Sequence, residues 1–281
     1  MALSKATDFF NFGRKLMSIQ ENKKTIVISG GASGIGLAAV RKFIKEDFNV
    51  CILDYNQDTL SQLSNELDEF NDSVLIKICD ITQSEKVSIA MDECIDKFGS
   101  INAVLPAAGI VKDGYFIKVD RESGKVKSHM TQSQFSDILN VNLTGTFNTI
   151  QQAAIRMIDN KCEGILYLVS SINQVGQLGQ LNYTSTKHAL ALWPKLLVGE
   201  FHKQNIDFIR VVSIAPGYVN TPILNNIKPE IKQKLVDDIA LGRLIETDEI
   251  ISTIWHIWQN KAINATNIEI SGGHIQSWVC K

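Results

Sequence analysis

"TIVISGGASGIGLAAVRKFIKEDFNVCILD", Thr25 to Asp54, decides the architecture. Thr25 to Ser29 is a short β-branched run that enters a glycine-rich turn. From Ile35 to Glu46 the apolar residues recur at helical spacing, and Asn49 to Asp54 is again strand-like. Strand, helix, strand in that order is one β-α-β unit, whose two strands lie parallel because the helix carries the chain back. The turn places glycines at 30, 34 and 36 in G-x-x-x-G-x-G spacing. Those glycines let the backbone turn tightly and approach a pyrophosphate, while the positive end of the following helix faces the negative charge. Asp54 ends the second strand, eighteen residues after Gly36, where an acid that grips an adenosine ribose belongs. A carboxylate accepts both ribose hydroxyls and repels a 2′-phosphate, so NAD(H) is expected in preference to NADP(H).

Outward from this unit the same rhythm continues. Strand-length apolar runs occur at Val74 to Asp80, Asn102 to Gly109, Gly164 to Ser171, Ile209 to Pro216 and Asn267 to Gly273. Helical periodicity fills Gln57 to Phe70, Glu85 to Phe98, Gln132 to Asn160, Tyr183 to Lys203 and Asp248 to Gln259. The pattern predicts an α/β fold: a three-layer, Rossmann-type, doubly wound parallel sheet of about seven strands with helices on both faces. Two segments break the rhythm. Lys112 to Met130 alternates around Glu122-Ser123-Gly124 and reads as a hairpin near the active edge. Thr221 to Arg243 reads as helical pieces interrupted by Pro222 and Pro229, where a lid would lie. Without repeats or a linker, residues 24–281 are expected to form one domain after an N-terminal extension, residues 1–23.

The composition excludes several classes of function. A chain of 281 residues with 44% hydrophobic residues can fill a substantial core, and a formal charge of −2 offers nothing to nucleic acid or an anionic membrane surface. A small-molecule substrate fits better. Cys51, Cys79, Cys94, Cys162 and Cys280 are scattered without a C-x-x-C pair, which predicts reduced thiols in a cytoplasmic protein and no metal site. The N-terminus lacks a secretion signal, and no apolar run is long enough to span a bilayer.

The chemistry centres on "NYTSTKHAL", Asn182 to Leu190, in which Tyr183 and Lys187 stand four residues apart. On a helix that spacing stacks the two side chains on one face. Ser170 and Ser171 end the preceding strand on the same sheet edge as the glycine turn, and Asn142 lies in the long helix before it. The ordered set "SGGASGIG", Asp80, "AAG", "NVN", "SS", "YTSTK" and "PGYVNT" resembles the short-chain dehydrogenase/reductase family over roughly Lys24 to Gly273.

The resemblance implies an oxidoreductase that interconverts a ketone and a secondary alcohol. It makes Tyr183 the general acid/base, Lys187 its activator, Ser171 the hydroxyl that holds the substrate oxygen, and Asn142 the support of a proton-relay water. It implies cofactor contacts at Gly30, Ser33, Gly34, Ile35, Gly36, Asp54, Asp80, Ile81, Ala108, Gly109, Tyr183, Lys187, Pro216, Gly217, Val219 and Thr221. Physical reasoning adds that a phenol of pKa ~10 is a poor base, and that a neighbouring ammonium favours its phenolate. Asp80 has two readings, a bond to the adenine amino group or a turn cap.

Ser171 is preferred to Ser170. Tyr183 lies twelve residues after Ser171 rather than the commoner thirteen, but a loop loses a residue more easily than a strand changes register. Two features depart from the family pattern. Pro106-Ala107-Ala108-Gly109 replaces the family's N-N-A-G, and Pro194 should kink the helix it sits in. Among relatives, "DGYFIKVDRESGKVKSHM" and "GQLGQLNYTSTK" most resemble 3-oxoacyl thioester (acyl-carrier-protein) reductases. A short-chain alcohol, sugar or hydroxysteroid dehydrogenase is the alternative, and a non-catalytic dinucleotide-binding regulator is a third reading. The family analogy also predicts a homo-oligomer, tetramer or dimer.

Overall fold

A computed structural model describes residues 23–225 and 227–275. The expected N-terminal extension, apart from Lys23, lies outside the described residues, as does Cys280. The chain begins β1 (Thr25–Ser29), α1 (Gly34–Lys45), β2 (Asn49–Asp54), α2 (Gln57–Glu66), β3 (Val74–Ile78), α3 (Ser84–Phe98) and β4 (Ala103–Pro106). A two-stranded excursion follows, β5 (Ile117–Val119) and β6 (Val126–His129), and then α4 (Gln132–Ile138), α5 (Thr146–Asp159) and β7 (Gly164–Val169). The remainder is α6 (Leu181–Lys203), β8 (Ile209–Pro216), the short α7 (Pro222–Asn225), α8 (Pro229–Asp237), α9 (Thr247–Gln259) and β9 (Thr266–Ile270).

Seven strands form one sheet in the order β3-β2-β1-β4-β7-β8-β9, and every pairing in it is parallel. All five residues of β1 and all eight of β8 are buried, as expected when helices cover both faces. Alternation along β1 divides the core. Ile26 and Ile28 pack against Val40 and Phe43 of α1 and Ile250 and Ile254 of α9. Val27 faces the other layer with Met91 of α3, Met157 of α5 and Leu190 of α6. Each such side chain, taken wholly out of water, contributes about 1.5–3 kcal/mol. Edge-on contacts of Phe43 and Phe48 with Trp255 lock α1 to α9.

The hairpin forms where the sequence places it. Asp120 accepts backbone bonds from Glu122 and Ser123, and Gly124 takes a φ of 67° that closes the turn. The segment with two prolines is indeed two helices, each beginning at its proline, where the missing N–H has no helical partner to lose.

Three expectations need correction. The helix read as continuous from Gln132 to Asn160 widens into a π-helix over Leu139–Gly145. Thr146 and Thr149 donate their hydroxyls to the carbonyls of Asn142 and Gly145, both at 2.8 Å, and so take up carbonyls of the widened turn. Next, α6 runs unbroken through Pro194, which is buried within it. Finally, β3, β4, β7 and β9 end at Ile78, Pro106, Val169 and Ile270, before the ends expected from their apolar runs. The residues just beyond those strand ends turn aside to line a cleft.

Candidate active site

The cleft, about 960 Å³, opens at the carboxyl edge of the sheet, where β1 lies between β2 and β4 and the strand order reverses. At one end stands the glycine turn. Gly30 has a φ of 69°, and a Cβ there would meet the Ala108 backbone at 2.6 Å, so the loops after β1 and β4 can touch only because residue 30 lacks a side chain. Gly36 supports the turn from behind, since a Cβ on it would fall 2.1 Å from the Gly30 carbonyl oxygen. Ser33 precedes α1 in extended conformation and its hydroxyl makes no capping bond; α1 carries no acid in its first turn. The first N–H groups of a twelve-residue helix are thus left to face the cleft. This cradle fits a pyrophosphate.

Asp54 stands at the end of β2, accepting from the Ala32 N–H at 3.0 Å and the Asn56 N–H at 3.1 Å. Each oxygen therefore has one protein donor, with capacity left for a ribose hydroxyl. Ile81, Ala108 and Gly109 line the same wall. Asp80 acts as a turn cap, accepting from Thr82 N–H at 3.0 Å, Thr82 Oγ1 at 2.7 Å and Gln83 Nε2 at 2.9 Å. Partial burial pushes its carboxyl up, but the bonds from Thr82 and Gln83 outweigh that and hold it below the usual range.

Tyr183 and Lys187 occupy the first turns of α6. Asn182 sets their approach: it donates to the carbonyls of Lys112 and Gln134, both at 3.1 Å, and accepts from the Tyr183 N–H at 2.8 Å. Lys187 Nζ donates to the Val169 carbonyl at 2.7 Å and stands 5.4 Å from the centroid of the Tyr183 ring. Burial pushes the lysine down to about 8. Burial likewise pushes Tyr183 up to about 12, opposed by a bond from Ser171 and reinforced by the charges of Asp113 and Tyr218. The phenolate is expected to gain from this ammonium together with a positive nicotinamide, and the ammonium alone does not bring the phenol below its ordinary value. A dry site penalises phenolate and ammonium alike, and that penalty is the larger effect.

Geometry separates the two serines. Ser170 spends its hydroxyl on the Lys187 carbonyl at 2.7 Å and on Gln174 Oε1 at 3.2 Å, tying β7 to α6. Ser171 accepts from the Asn173 N–H at 3.2 Å and lines the cleft together with Tyr183. Asn142 stands behind the cleft wall formed by Asn140 and Val141. Its amide clasps Ile110, accepting from the N–H at 2.8 Å and donating to the carbonyl at 2.9 Å. The side chain expected to support a relay water is thus occupied in holding the loop after β4.

Pro216, Gly217, Val219 and Thr221 close the far end, with Thr221 Cγ2 3.5 Å from where a Cβ on Gly34 would lie. Leu224, Ile227, Ile231 and Leu235 form an apolar wall above. Sequence reasoning missed Asp113, Asn173, Gln180, Asn182 and Tyr218. Their signal was weak, polar residues in or near the "AAG", "SS", "YTSTK" and "PGYVNT" motifs, because only folding brings them to one place.

Comparison with known proteins agrees with this geometry. A family model described as short chain dehydrogenase matches residues 24–232. An uncharacterized oxidoreductase of Mycobacterium tuberculosis is 28% identical, over 90% of this chain and 97% of its own. A 3-oxoacyl-(acyl-carrier-protein) reductase of Thermotoga maritima is 26% identical, over 89% and 97%. Among solved structures, a 7α-hydroxysteroid dehydrogenase complexed with NADH and 7-oxo glycochenodeoxycholic acid superposes with a TM-score of 0.79 at 23% identity, covering 90% of this chain and 95% of that one. A protein with NADP bound gives 0.78 at 23% identity, covering 89% and 98%.

Proposed function

Because the chain belongs to the short-chain dehydrogenase family, whose members bind a nicotinamide dinucleotide, we propose that it is an NAD(H)-dependent oxidoreductase interconverting a ketone and a secondary alcohol. The observation that carries this reading is the convergence of Ser171, Tyr183 and Lys187 on the cleft that also holds the glycine cradle. The bound nicotinamide supplies or accepts the hydride. Gly30, Ser33, Gly34 and Ile35 hold its pyrophosphate, Asp54 its adenosine ribose, and Val219 and Thr221 the carboxamide end.

In the reducing direction, Tyr183 gives its proton to the carbonyl oxygen as negative charge develops there. Its raised proton affinity keeps the phenol intact at neutral pH and ready to donate. The Ser171 hydroxyl, fixed by Asn173, holds the same oxygen and shares its charge. Lys187 remains mostly an ammonium at pH 7 and stabilises the phenolate left behind, which Tyr183 must be for the reverse reaction. Asn142 positions the loop after β4 through Ile110.

Asp54, with no Lys or Arg lining the ribose end of the cleft, supports NAD(H) over NADP(H). The 3-oxoacyl reductase relatives put 3-oxoacyl thioesters first in the substrate panel, followed by alcohols, sugars and hydroxysteroids. Exposed Phe147, Leu192 and Leu196 on α5 and α6 support a homo-oligomer. The free thiols of Cys51, Cys79, Cys94 and Cys162 support a cytoplasmic setting, and no helix among the described residues is long and apolar enough to cross a membrane.

The test is turnover of a panel of ketones and 3-oxoacyl thioesters with NADH and with NADPH, by wild type and Tyr183→Phe. The reading requires turnover by wild type, a higher kcat/KM with NADH, and loss of nearly all turnover in the phenylalanine variant with NADH binding kept. Tight NADH binding without any turnover would instead favour a non-catalytic regulator.

A further inference from the structure

Three polar side chains of the cleft bond in series. Asp113 Oδ2 accepts from Gln180 Nε2 at 2.9 Å, and Gln180 Oε1 accepts from Asn173 Nδ2 at 2.9 Å. One N–H of each amide is spent within this chain, and an acceptor oxygen of Asp113 remains. Asn173 is only 5% exposed, yet its Oδ1 has no partner among the described residues. That oxygen is closed off from the cleft, so the part Asn173 plays is to hold Gln180 through its Nδ2. Asp113 has one oxygen that no group among the described residues bonds, and it is held in place twice, by Gln180 and by the adjacent Gly114 N–H, which donates to the Gly179 carbonyl at 2.8 Å. It lines the same cleft as Ser171 and Tyr183.

We propose that Asp113 forms a substrate subsite for a hydrogen-bond donor, so that the preferred ketone carries a hydroxyl beside its carbonyl and no anionic group there. The inference rests on the ketone–alcohol reading and narrows it. A 3-oxoacyl thioester presents a second carbonyl near the reacting one, which would set an oxygen acceptor against a carboxylate. A hydroxy ketone presents an O–H to the same atoms. The remainder of the molecule is apolar, because Leu224, Ile227, Ile231 and Leu235 wall the cleft. Asp113 is thus a specificity residue, and Gln180 positions it.

The test compares 1-hydroxyoctan-2-one, octan-2-one and the anionic 2-oxooctanoate as substrates with NADH, for wild type and Asp113→Asn. Asparagine keeps an acceptor for Gln180 and removes the charge. Wild type should prefer the hydroxy ketone to the plain one by about tenfold in kcat/KM, the discrimination a charged acceptor gives to a single O–H. In Asp113→Asn the preference for the hydroxy ketone over octan-2-one should collapse through KM, with 2-oxooctanoate improved relative to octan-2-one. An unchanged preference would overturn the proposal, and so would an equal loss on both neutral ketones, which marks a residue that only holds the loops. Should Asp113→Asn unfold at the assay temperature, Asp113→Ser is judged by the same criteria. If wild type reduces no ketone at all, the ketone–alcohol reading fails by itself. Calorimetric affinities of the two neutral ketones for the NADH-loaded protein then decide the subsite, on the same tenfold preference.

Discussion

Lys187 is held at a cost to folding that changes with pH, and Lys187→Met exposes it. Methionine keeps the length and apolar stem of the lysine but carries no charge. Burial pushes the lysine from its ordinary 10.5 down to about 8, so below pH 8 the folded protein keeps an ammonium in a dry place that the unfolded chain would leave in water. That penalty is about 3 kcal/mol at pH 7. Between about 8 and 10.5 the folded state has released a proton that the unfolded state still binds, so wild-type stability rises with pH, and the penalty shrinks to about 1 kcal/mol at pH 10. Against this, the variant loses the bond from Nζ to the Val169 carbonyl at 2.7 Å, roughly 1.5 kcal/mol. Lys187→Met should therefore be more stable than wild type by about 2 kcal/mol at pH 7, with the advantage gone by about pH 10. Tyr183 contributes the opposite slope, its raised value favouring the folded state until pH passes through about 10 to 12, but it is present in both proteins and cancels in the difference. Urea unfolding of both proteins without nucleotide, at one protein concentration and at pH 7, 9 and 10, measures it. A difference that does not change with pH, or a variant less stable at pH 7, would refute the account of a desolvated ammonium.

Two further outcomes follow from the site. Ser171→Ala should lower kcat by about a hundredfold or more with NADH affinity kept, as for loss of one donor to a developing oxyanion. Ser170→Ala should instead lower Tm, because its hydroxyl ties β7 to α6; equal kinetic effects from the two would contradict the division of labour. Gly36→Ala pushes a Cβ to 2.1 Å from the Gly30 carbonyl oxygen, so it should cost about 1–3 kcal/mol by chemical unfolding and weaken NADH binding in calorimetry. Gly34→Ala meets nothing closer than 3.5 Å and suffers only the strain of its φ of 52°, about 1 kcal/mol. If the two alanines behave alike, the cradle is not built as described.

The departures between pattern and fold have common causes. Apolar runs overshoot the ends of β3, β4, β7 and β9 because residues that line a cleft are as apolar as those in a strand, and only backbone pairing tells them apart. The π-turn over Leu139–Gly145 keeps the same residue types as its flanking helix. It arises from hydroxyl bonds of Thr146 and Thr149 and from the side chain of Ile81, which would come within 2.6 Å of a Cβ on Gly145. Asn142 was legible as a site residue, yet its commitment to Ile110 was not, since that partner lies 32 positions away on another loop. Local spacing reveals neighbours on one helix or strand, and says nothing of which distant carbonyl an amide will reach.

The sequence by itself determined the alternation of strands and helices, and hence a parallel sheet whose strand ends share one edge. It also determined the glycine turn, Asp54 and the Tyr183–Lys187 pair, because each depends on residues within one or two adjacent elements. Only the tertiary structure decided how the site is charged and what it can hold. The proton affinities of Tyr183 and Lys187 follow from burial, which no spacing encodes. That α6 takes up the hydroxyl of Ser170 also follows from packing. The open oxygen of Asp113 is held in the cleft because loops 60 residues apart close on one another, a matter of the whole chain's packing.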